Sequence, residues 1–295
     1  MNLLHKIRAV VALVAMFINT FVMVMPLYVL ALLKLILPVE MIRVWLSKGI
    51  VIISEAWIAN NNAIIALFGS VRWQVEGLEG LSRKQWYFVV SNHQSWSDIL
   101  VLQRIFNRRI PLLKFFLKQE LIKVPLLGLA WWALDFPFMK RYTRAEIEKN
   151  PELKGKDVET TRLACQKFEY FPTSVMNFLE GTRFTPDKQA QQQSPYRHLL
   201  KPKSGGAAFA LGAMAGTLKT LVDVTIVYPK DAPRTLFAFL GGSIKDIKVI
   251  VRQQEIPTWV SSGDYENDAD FRERFQQWIS EIWVNKDACL SEQLR

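Results

Sequence analysis

The chain has 295 residues, half of them hydrophobic, and a formal net charge of +10. This length fits one large domain with a membrane anchor or two small domains, and the composition excludes a polytopic transporter while being more apolar than a typical soluble domain. The basic excess favours an anionic partner, which leaves anionic lipid, nucleic acid and an anionic substrate open.

The first predicted element is a long apolar segment. Residues 9–33 contain no charged side chain, and about 20 apolar residues suffice for a helix to span the hydrocarbon core of a membrane. The segment is longer than the core of a signal peptide and no convincing cleavage site follows it, so we expect an uncleaved anchor. Asn19 and Pro26 lie inside it, which leaves a kinked span and a re-entrant hairpin open. Basic residues flank both ends, so the positive-inside rule selects no orientation.

Residues 50–68 form a second apolar stretch, which contains Glu55 and three asparagines and is expected to be an interfacial or buried helix. Further along, β-favouring runs predict strands at residues 71–75, 86–90, 136–139, 174–178, 221–227 and 244–252. Helical patterns predict helices at residues 97–106, 157–168, 204–214 and 270–283, and two helical pieces broken at Pro125 within residues 113–133. We expect a solvated insertion at residues 146–156, a loop at 180–183 and a polar loop at 187–193.

This alternation of strands and helices predicts an α/β fold of packed layers. The expected division is an N-terminal membrane anchor with interfacial helices at residues 1–68 and a second domain at residues 69–295. The two cysteines form no disulfide framework, which favours a reducing compartment and a domain that faces the cytoplasm.

One histidine stands at a predicted strand-to-helix junction. His93 follows the strand at residues 86–90, and Asp98 lies five residues further on, in the first turn of the next helix. A carboxylate on one ring nitrogen would fix the tautomer of the imidazole and leave the other nitrogen to take a proton from an alcohol. On spacing alone, a structural histidine beside a helix-capping aspartate is the more common arrangement. One histidine and one aspartate are too few ligands for a metal ion, so we expect no metal site.

Arginines follow two other predicted strands. A glycine loop after the strand at residues 174–178 presents Glu180, Gly181, Thr182 and Arg183 together, and Arg141 follows the strand at residues 136–139. Arginine is well shaped to hold a phosphate by two parallel hydrogen bonds. Taken singly, residues 180–183 could be a surface turn with a salt bridge, and an ordinary solvated charge is the better explanation for Arg141.

Together these segments resemble the motifs of the glycerolipid acyltransferase family, also called lysophosphatidate or PlsC-like acyltransferases. The family's N-H-x-x-x-x-D motif is matched by Asn92, His93 and Asp98. Its F-P-E-G-T-R-S motif is matched by Phe178, Glu180, Gly181, Thr182 and Arg183, with Leu179 and Phe184 replacing the proline and the serine.

Other segments between residues 73 and 229 match the family's pattern less completely. Its K-x-E-L-x-x-x-P-x-x-G run resembles the segment with Lys118, Glu120, Leu121, Pro125 and Gly128. Its G-x-I-F-I-x-R motif is met only by Phe138 and Arg141, and Lys203 begins a K-x-G. Val224 to Tyr228 resembles V-P-I-V-P without its prolines.

The resemblance implies a membrane-bound O-acyltransferase of the 1-acylglycerol-3-phosphate acyltransferase type, from the bacterial inner-membrane branch of the family. It implies a mixed central sheet flanked by helices, a catalytic domain that faces the cytoplasm, and a role in phospholipid synthesis. The acyl donor would be acyl-CoA or acyl-carrier protein (acyl-ACP), and the acceptor would be lysophosphatidic acid or a related lysophospholipid. No cofactor is expected beyond this co-substrate.

The resemblance also assigns roles to residues. His93 would be the general base and Asp98 would orient it. Arg183, with Arg141 as second candidate, would hold the acceptor's phosphate, supported by Glu180, Gly181 and Thr182. Residues 121–132 have the composition to line an acyl tunnel, in which Leu126, Leu127 and Leu129 would set the chain length.

Two alternatives stay open. The first is the same chemistry on another acceptor, such as glycerol phosphate, lysophosphatidylglycerol or a lipid A precursor. The second is a non-catalytic, membrane-anchored binding protein with a degenerate acyltransferase domain, in which His93 would be dispensable. Nucleic acid is not an expected partner, because the basic residues are scattered and an anchor dominates the N-terminus.

Overall fold

The computed structural model describes residues 2–139, 149–150, 152, 168 and 171–295. The predictions for Arg141, for the insertion at residues 146–156 and for the helix at residues 157–168 lie outside the described residues, apart from isolated positions.

The chain begins with two long helices and continues as alternating strands and helices. In order, the elements of the first half are α1 (Leu3–Ile36), α2 (Glu40–Phe68), β1 (Arg72–Glu76), β2 (Tyr87–Ser91), α3 (Ser97–Phe106), β3 (Leu113–Phe115), β4 (Leu117–Lys118), α4 (Leu127–Ala133) and β5 (Phe138–Met139). The second half contains β6 (Ser174–Asn177), α5 (Pro186–Gln191), α6 (Gly205–Ala213), β7 (Thr220–Val227), α7 (Leu236–Leu240), β8 (Asp246–Glu255) and α8 (Ala269–Gln293).

Six strands form the central sheet in the order β1-β8-β7-β2-β6-β3. Strands β7 and β8 are antiparallel, and the other neighbouring strands are parallel. Strand β2 lies between β6 and β7 and is buried along its whole length, which explains why its sequence is continuously apolar and does not alternate.

Helices cover both faces of this sheet. On one face the core contains side chains of α1, α3 and α7, and on the other it contains side chains of α6 and α8. Strands β4 and β5 form a separate parallel pair. The predicted α/β fold with a mixed central sheet flanked by helices is confirmed.

Helices α1 and α2 form an antiparallel hairpin that is packed onto the sheet domain. A polar cluster joins the two helices, in which Asn19 donates to the carbonyl oxygen of Trp57 (3.0 Å) and to Oδ1 of Asn61 (2.8 Å). Ala9 and Ala12 of α1 are buried in the same core as α7. A Cβ at Gly241, directly after α7, would lie 2.4 Å from the carbonyl oxygen of His5, so this contact requires glycine.

By length and composition, both helices could cross a membrane, although such a feature alone is weak support for a span. Most large side chains on the outward face of α1 are apolar and exposed. The sequence analysis underestimated the length of α2, which begins at Glu40 and not at residue 50. The boundary between anchor and second domain near residue 68 stays a prediction.

Two local predictions were wrong and one helix was missed. The expected helical pieces on either side of Pro125 are the 3-10 helix Gln119–Lys123 and α4, but residues 113–118 form β3 and β4, and β3 pairs with β6 as the edge strand of the sheet. Residues 187–193 begin inside α5, for which Thr185 is the N-cap and Pro186 the first helical residue. Helix α7 was not predicted, although Thr235 caps it in the same way.

Candidate active site

The turn between β2 and α3 brings His93 and Asp98 together. Nδ1 of His93 lies 2.9 Å from Oδ2 of Asp98, and the imidazole is stacked on the ring of Phe178 with centroids 4.0 Å apart. About 13% of the His93 side chain is exposed, and it borders a cavity. Nε2 has no hydrogen-bond partner among the described residues. The hydrogen bond to Asp98 therefore assigns the proton to Nδ1 and leaves Nε2 able to accept one.

The carboxylate of Asp98 is buried and fully hydrogen-bonded. Besides His93, its Oδ2 accepts from the backbone N–H groups of Gln94 (2.6 Å) and Ser95 (2.8 Å). Its Oδ1 accepts from the hydroxyl of Tyr228 at 2.6 Å. Four donors thus fix both oxygens, so the edge of the carboxylate that faces His93 is set before any substrate binds.

The loop after β6 packs against the His93 turn. The backbone N–H of Phe184 donates to the carbonyl oxygen of His93 at 2.7 Å, and Glu180 accepts from the backbone N–H of His93 at 2.7 Å. The sequence analysis singled out two motifs, around residues 93 and 180. Two hydrogen bonds join them, one at the N–H of His93 and one at its carbonyl oxygen.

Glu180 lies under this loop and does not face the site. Its Oε2 accepts from the backbone N–H of Leu200 at 2.9 Å, and its side chain is buried. Burial raises the pKa of Glu180 to about 7, although the two backbone N–H groups and the buried Lys286 oppose that rise. The sequence analysis gave Glu180 a supporting role for the phosphate-binding loop, which stays a prediction. Both carboxylate oxygens of Glu180 accept hydrogen bonds from backbone N–H groups, so Glu180 fixes the position of the turn that carries His93.

Gly181, Thr182 and Arg183 form the exposed part of the loop. Gly181 has φ +67, a left-handed conformation that favours glycine. Thr182 accepts a hydrogen bond from Nζ of Lys188 at 2.8 Å through Oγ1. The guanidinium of Arg183 lies 4.8 Å from the centroid of the exposed Trp96 ring. Within the described part of the chain, no carboxylate forms a salt bridge with Arg183.

Two lysines join Arg183 at this loop. Nζ of Lys188 also donates to the carbonyl oxygen of Arg183 at 3.1 Å, and the side chain of Lys203 lies within 3.0 Å of where a Cβ on Gly181 would be. We call Arg183, Lys188 and Lys203 the basic cluster. Sequence analysis noted Lys203 only as part of a motif and missed Lys188, because α5 was taken for a loop.

An apolar cavity of about 360 Å³ leads away from His93. Its walls come from α1, α2, α3 and α4, and His93 and Phe178 border it. It extends along α3 from Ile99 to Phe106, a helix length of roughly 11 Å, and the polar residues Asn107 and Arg108 border its far end. Leu127 lines it as expected. Leu126 and Leu129 do not, and Leu129 is 49% exposed on the outer side of α4.

No cluster of three or more histidine, cysteine, aspartate or glutamate side chains that could hold a metal ion occurs in residues 2–139 and 171–295. The described site brings together a histidine paired with a buried carboxylate, an apolar cavity and the basic cluster.

Comparison with known proteins agrees with this combination. A family model described as Acyltransferase matches residues 72–229. The 1-acyl-sn-glycerol-3-phosphate acyltransferase gamma of Mus musculus is 26% identical over 187 residues, which are 59% of this chain and 44% of that protein. Lysocardiolipin acyltransferase 1 of Gallus gallus is 23% identical over 256 residues, which are 82% of this chain and 62% of that protein. The chain thus spans about half the length of the curated relatives it matches.

A solved structure is similar over nearly the whole chain. The crystal structure of the 1-acyl-sn-glycerophosphate (LPA) acyltransferase PlsC from Thermotoga maritima aligns with a TM-score of 0.51 and 17% sequence identity. The alignment covers 96% of this chain and 98% of that one. At this identity the likeness concerns the fold.

Proposed function

Because this chain belongs to the Acyltransferase family, we propose that it transfers a fatty acyl group from acyl-CoA or acyl-ACP to the free hydroxyl of lysophosphatidic acid or a related lysophospholipid. The observation that carries the proposal is the placement of His93. Its Asp98-paired ring borders an apolar cavity, and its backbone is bonded to the loop that bears the basic cluster.

In the proposed reaction, Nε2 of His93 takes the proton of the acceptor hydroxyl as the oxygen attacks the thioester carbonyl. The new ester C–O bond forms as the C–S bond breaks, and the leaving thiolate takes the proton from His93. General base catalysis of this kind contributes roughly 10²–10⁴-fold to a rate. The hydrogen bond to Asp98 holds the neutral imidazole in the tautomer that carries its proton on Nδ1, and it stabilises the imidazolium that forms.

The cavity suits the acyl chain. Its walls are mostly apolar, so each methylene that lies against them gains about 0.8 kcal/mol from burial. Its length along α3, roughly 11 Å, is about a third of the thickness of the hydrocarbon core of a bilayer, roughly 30 Å.

The basic cluster suits the phosphate of the acceptor. Arg183 offers a planar fork of donors beside the turn, and Lys188 and Lys203 add point charges at the same loop. Gly181 and Thr182 shape the loop. Arg141, which lies outside the described residues, remains the second candidate for this contact.

The helical hairpin suits a membrane. The start of α1 and the end of α2 pack on the same region near α7, so the hairpin returns to the side from which it left. With the exposed apolar face of α1, this arrangement supports a membrane anchor whose two ends lie on the same side as the sheet domain. We propose that the enzyme lies at the inner membrane of a bacterium, with its catalytic domain on the cytoplasmic side.

An acceptor panel tests this function. The full chain, purified in detergent and mixed with phospholipid, is given oleoyl-CoA or oleoyl-ACP together with lysophosphatidic acid, glycerol 3-phosphate or lysophosphatidylglycerol, and products are identified by mass spectrometry. We expect phosphatidic acid from lysophosphatidic acid at the highest kcat/KM. Product from another acceptor alone would move the proposal to that acceptor. Absence of product from every pair would contradict it and favour a binding protein.

A further inference from the structure

We propose that Tyr228 is a positioning residue for this reaction, which holds Asp98 so that the carboxylate aligns and polarises His93. This inference rests on the proposed function. Tyr228 follows β7 directly and lies 130 residues from Asp98 in the sequence. In the segment that resembles V-P-I-V-P, it stands where the motif ends in proline, so its hydroxyl is a feature of this chain and not of the motif.

The two oxygens of Asp98 have separate partners. Oδ2 faces the His93 turn, where it meets Nδ1 of His93 and the N–H groups of Gln94 and Ser95. Oδ1 points away from that turn, and Tyr228 is its only hydrogen-bond donor among the described residues. At 2.6 Å, this O–H···O contact has the length of a hydrogen bond to a charged acceptor.

Loss of the hydroxyl would leave one oxygen of a buried carboxylate unpaired. Such an oxygen cannot turn to water, since Asp98 is buried and Tyr228 is 1% exposed. The carboxylate would gain by rotating toward its remaining donors, and Oδ2 would then lose its alignment with Nδ1 of His93. His93 would still be present, but its ring would be less precisely oriented. Such a loss of orientation is expected when a contact that supports a catalytic side chain is removed.

Tyr228 is suited to donate at every physiological pH. Burial and the Asp98 carboxylate raise the pKa of its hydroxyl well above the usual value. The guanidinium of Arg234 lies 5.2 Å from the centroid of the ring and also counters the charge of Asp98. The charged or titratable groups facing this unit are thus Arg234 beside Tyr228 and Glu180 beside His93, with Lys286 behind Glu180.

The test is Tyr228→Phe, which removes the hydroxyl and keeps the ring. The matched control is Tyr87→Phe. Tyr87 is also fully buried, and its hydroxyl is paired with Ser82 N and Gln85 Oε1 at 2.8 Å each, at the opposite end of β2. Purified variants are compared for kcat and for the KM values of donor and acceptor.

We expect Tyr228→Phe to lower kcat about tenfold or more, a part of the roughly 10²–10⁴-fold that a general base supplies, with both KM values within about twofold. Tyr87→Phe should keep the wild-type kcat. Wild-type kcat in Tyr228→Phe would overturn the proposal.

A second readout does not depend on catalysis. The chain has only three histidines, so ¹⁵N-labelled histidine gives a simple spectrum, in which His93→Ala identifies the signals of His93. We expect the Nδ1–H tautomer in the wild type and a mixture of tautomers in Tyr228→Phe. Identical spectra would overturn the role of Tyr228 even if no transfer activity is found. An inactive wild type with the expected spectra would instead count against the proposed function alone.

Discussion

The side-chain amide of Asn92 pairs with the backbone of Ile226 as if it were one more residue of the sheet. Nδ2 donates to the carbonyl oxygen of Ile226 at 2.9 Å, and the N–H of Ile226 donates to Oδ1 at 2.8 Å. The backbone pairing of β2 with β7 ends one residue earlier, at Ser91 and Val224. The amide thus fixes the point at which the chain leaves the sheet and presents His93.

Asn92→Ala should destabilise the fold. The change removes two buried hydrogen bonds and leaves a donor and an acceptor of Ile226 unpaired, which costs about 2–4 kcal/mol in the free energy of unfolding. Denaturant unfolding in detergent measures the loss. Asn285→Ala, at an exposed position of α8, should change the free energy by less than about 0.5 kcal/mol. Equal stability of the two variants would refute a structural role for the amide.

The raised pKa of Glu180 predicts a pH dependence of stability. The folded chain keeps a proton on Glu180 up to about pH 7, whereas the usual value is 4.5. Between these values the folded state binds more protons than the unfolded state, so the free energy of unfolding falls as pH rises. The fall is about 3 kcal/mol, complete a little above pH 7. Glu180→Gln should lack it. Unfolding measured at pH 5 and pH 8 should show the difference, and parallel changes in the two proteins would contradict the assignment.

The wall of the cavity predicts which leucine controls chain length. Leu127→Trp fills the cavity and should shift the preferred donor to shorter chains, with roughly a fourfold loss for each excluded methylene. Leu129→Trp is the matched control on the same helix, because Leu129 faces outward and should leave the preference unchanged. Transfer rates with saturated acyl-CoA donors from decanoyl to stearoyl measure the chain-length preference of each variant. An unchanged profile in Leu127→Trp would mean that the chain lies elsewhere.

The basic cluster predicts a selective effect on the acceptor. Arg183→Lys keeps the positive charge but cannot form two parallel hydrogen bonds to a phosphate. The KM for lysophosphatidic acid should therefore rise about tenfold or more. KM for the acyl donor should stay the same. Arg252→Ala, at an exposed position of β8, is the control for a general loss of positive charge. A rise in the donor's KM alone would place Arg183 at the other substrate.

Much of the secondary structure could be predicted from short stretches of sequence. The continuous apolar run of β2, the bounds of α3 and the junction that holds His93 could be predicted, because each depends on residues close in sequence. The caps Thr185 and Thr235 also carried a local signal, a threonine followed by a helix start, which would have revealed α5 and α7.

Contacts between distant segments could not be predicted. Glu180 has the sequence of a site residue, but its burial depends on the backbone of Leu200 and of His93, 87 residues away. The role of Tyr228 depends on the register of β7 beside β2. The apolar pattern of β3, before α4, fits a helix and a strand equally well. It forms a strand because it pairs with β6.

The most direct test of the account is acyl transfer from labelled oleoyl-CoA to lysophosphatidic acid in membranes, with the wild type compared with His93→Ala and with the control His198→Ala. His198 lies outside the site and bonds through its backbone to Asp287. The account predicts that labelled phosphatidic acid forms with the wild type and with His198→Ala, and that His93→Ala loses at least about a hundredfold in rate. Equal product from His93→Ala and the wild type would show that His93 is not the base and would contradict the mechanism.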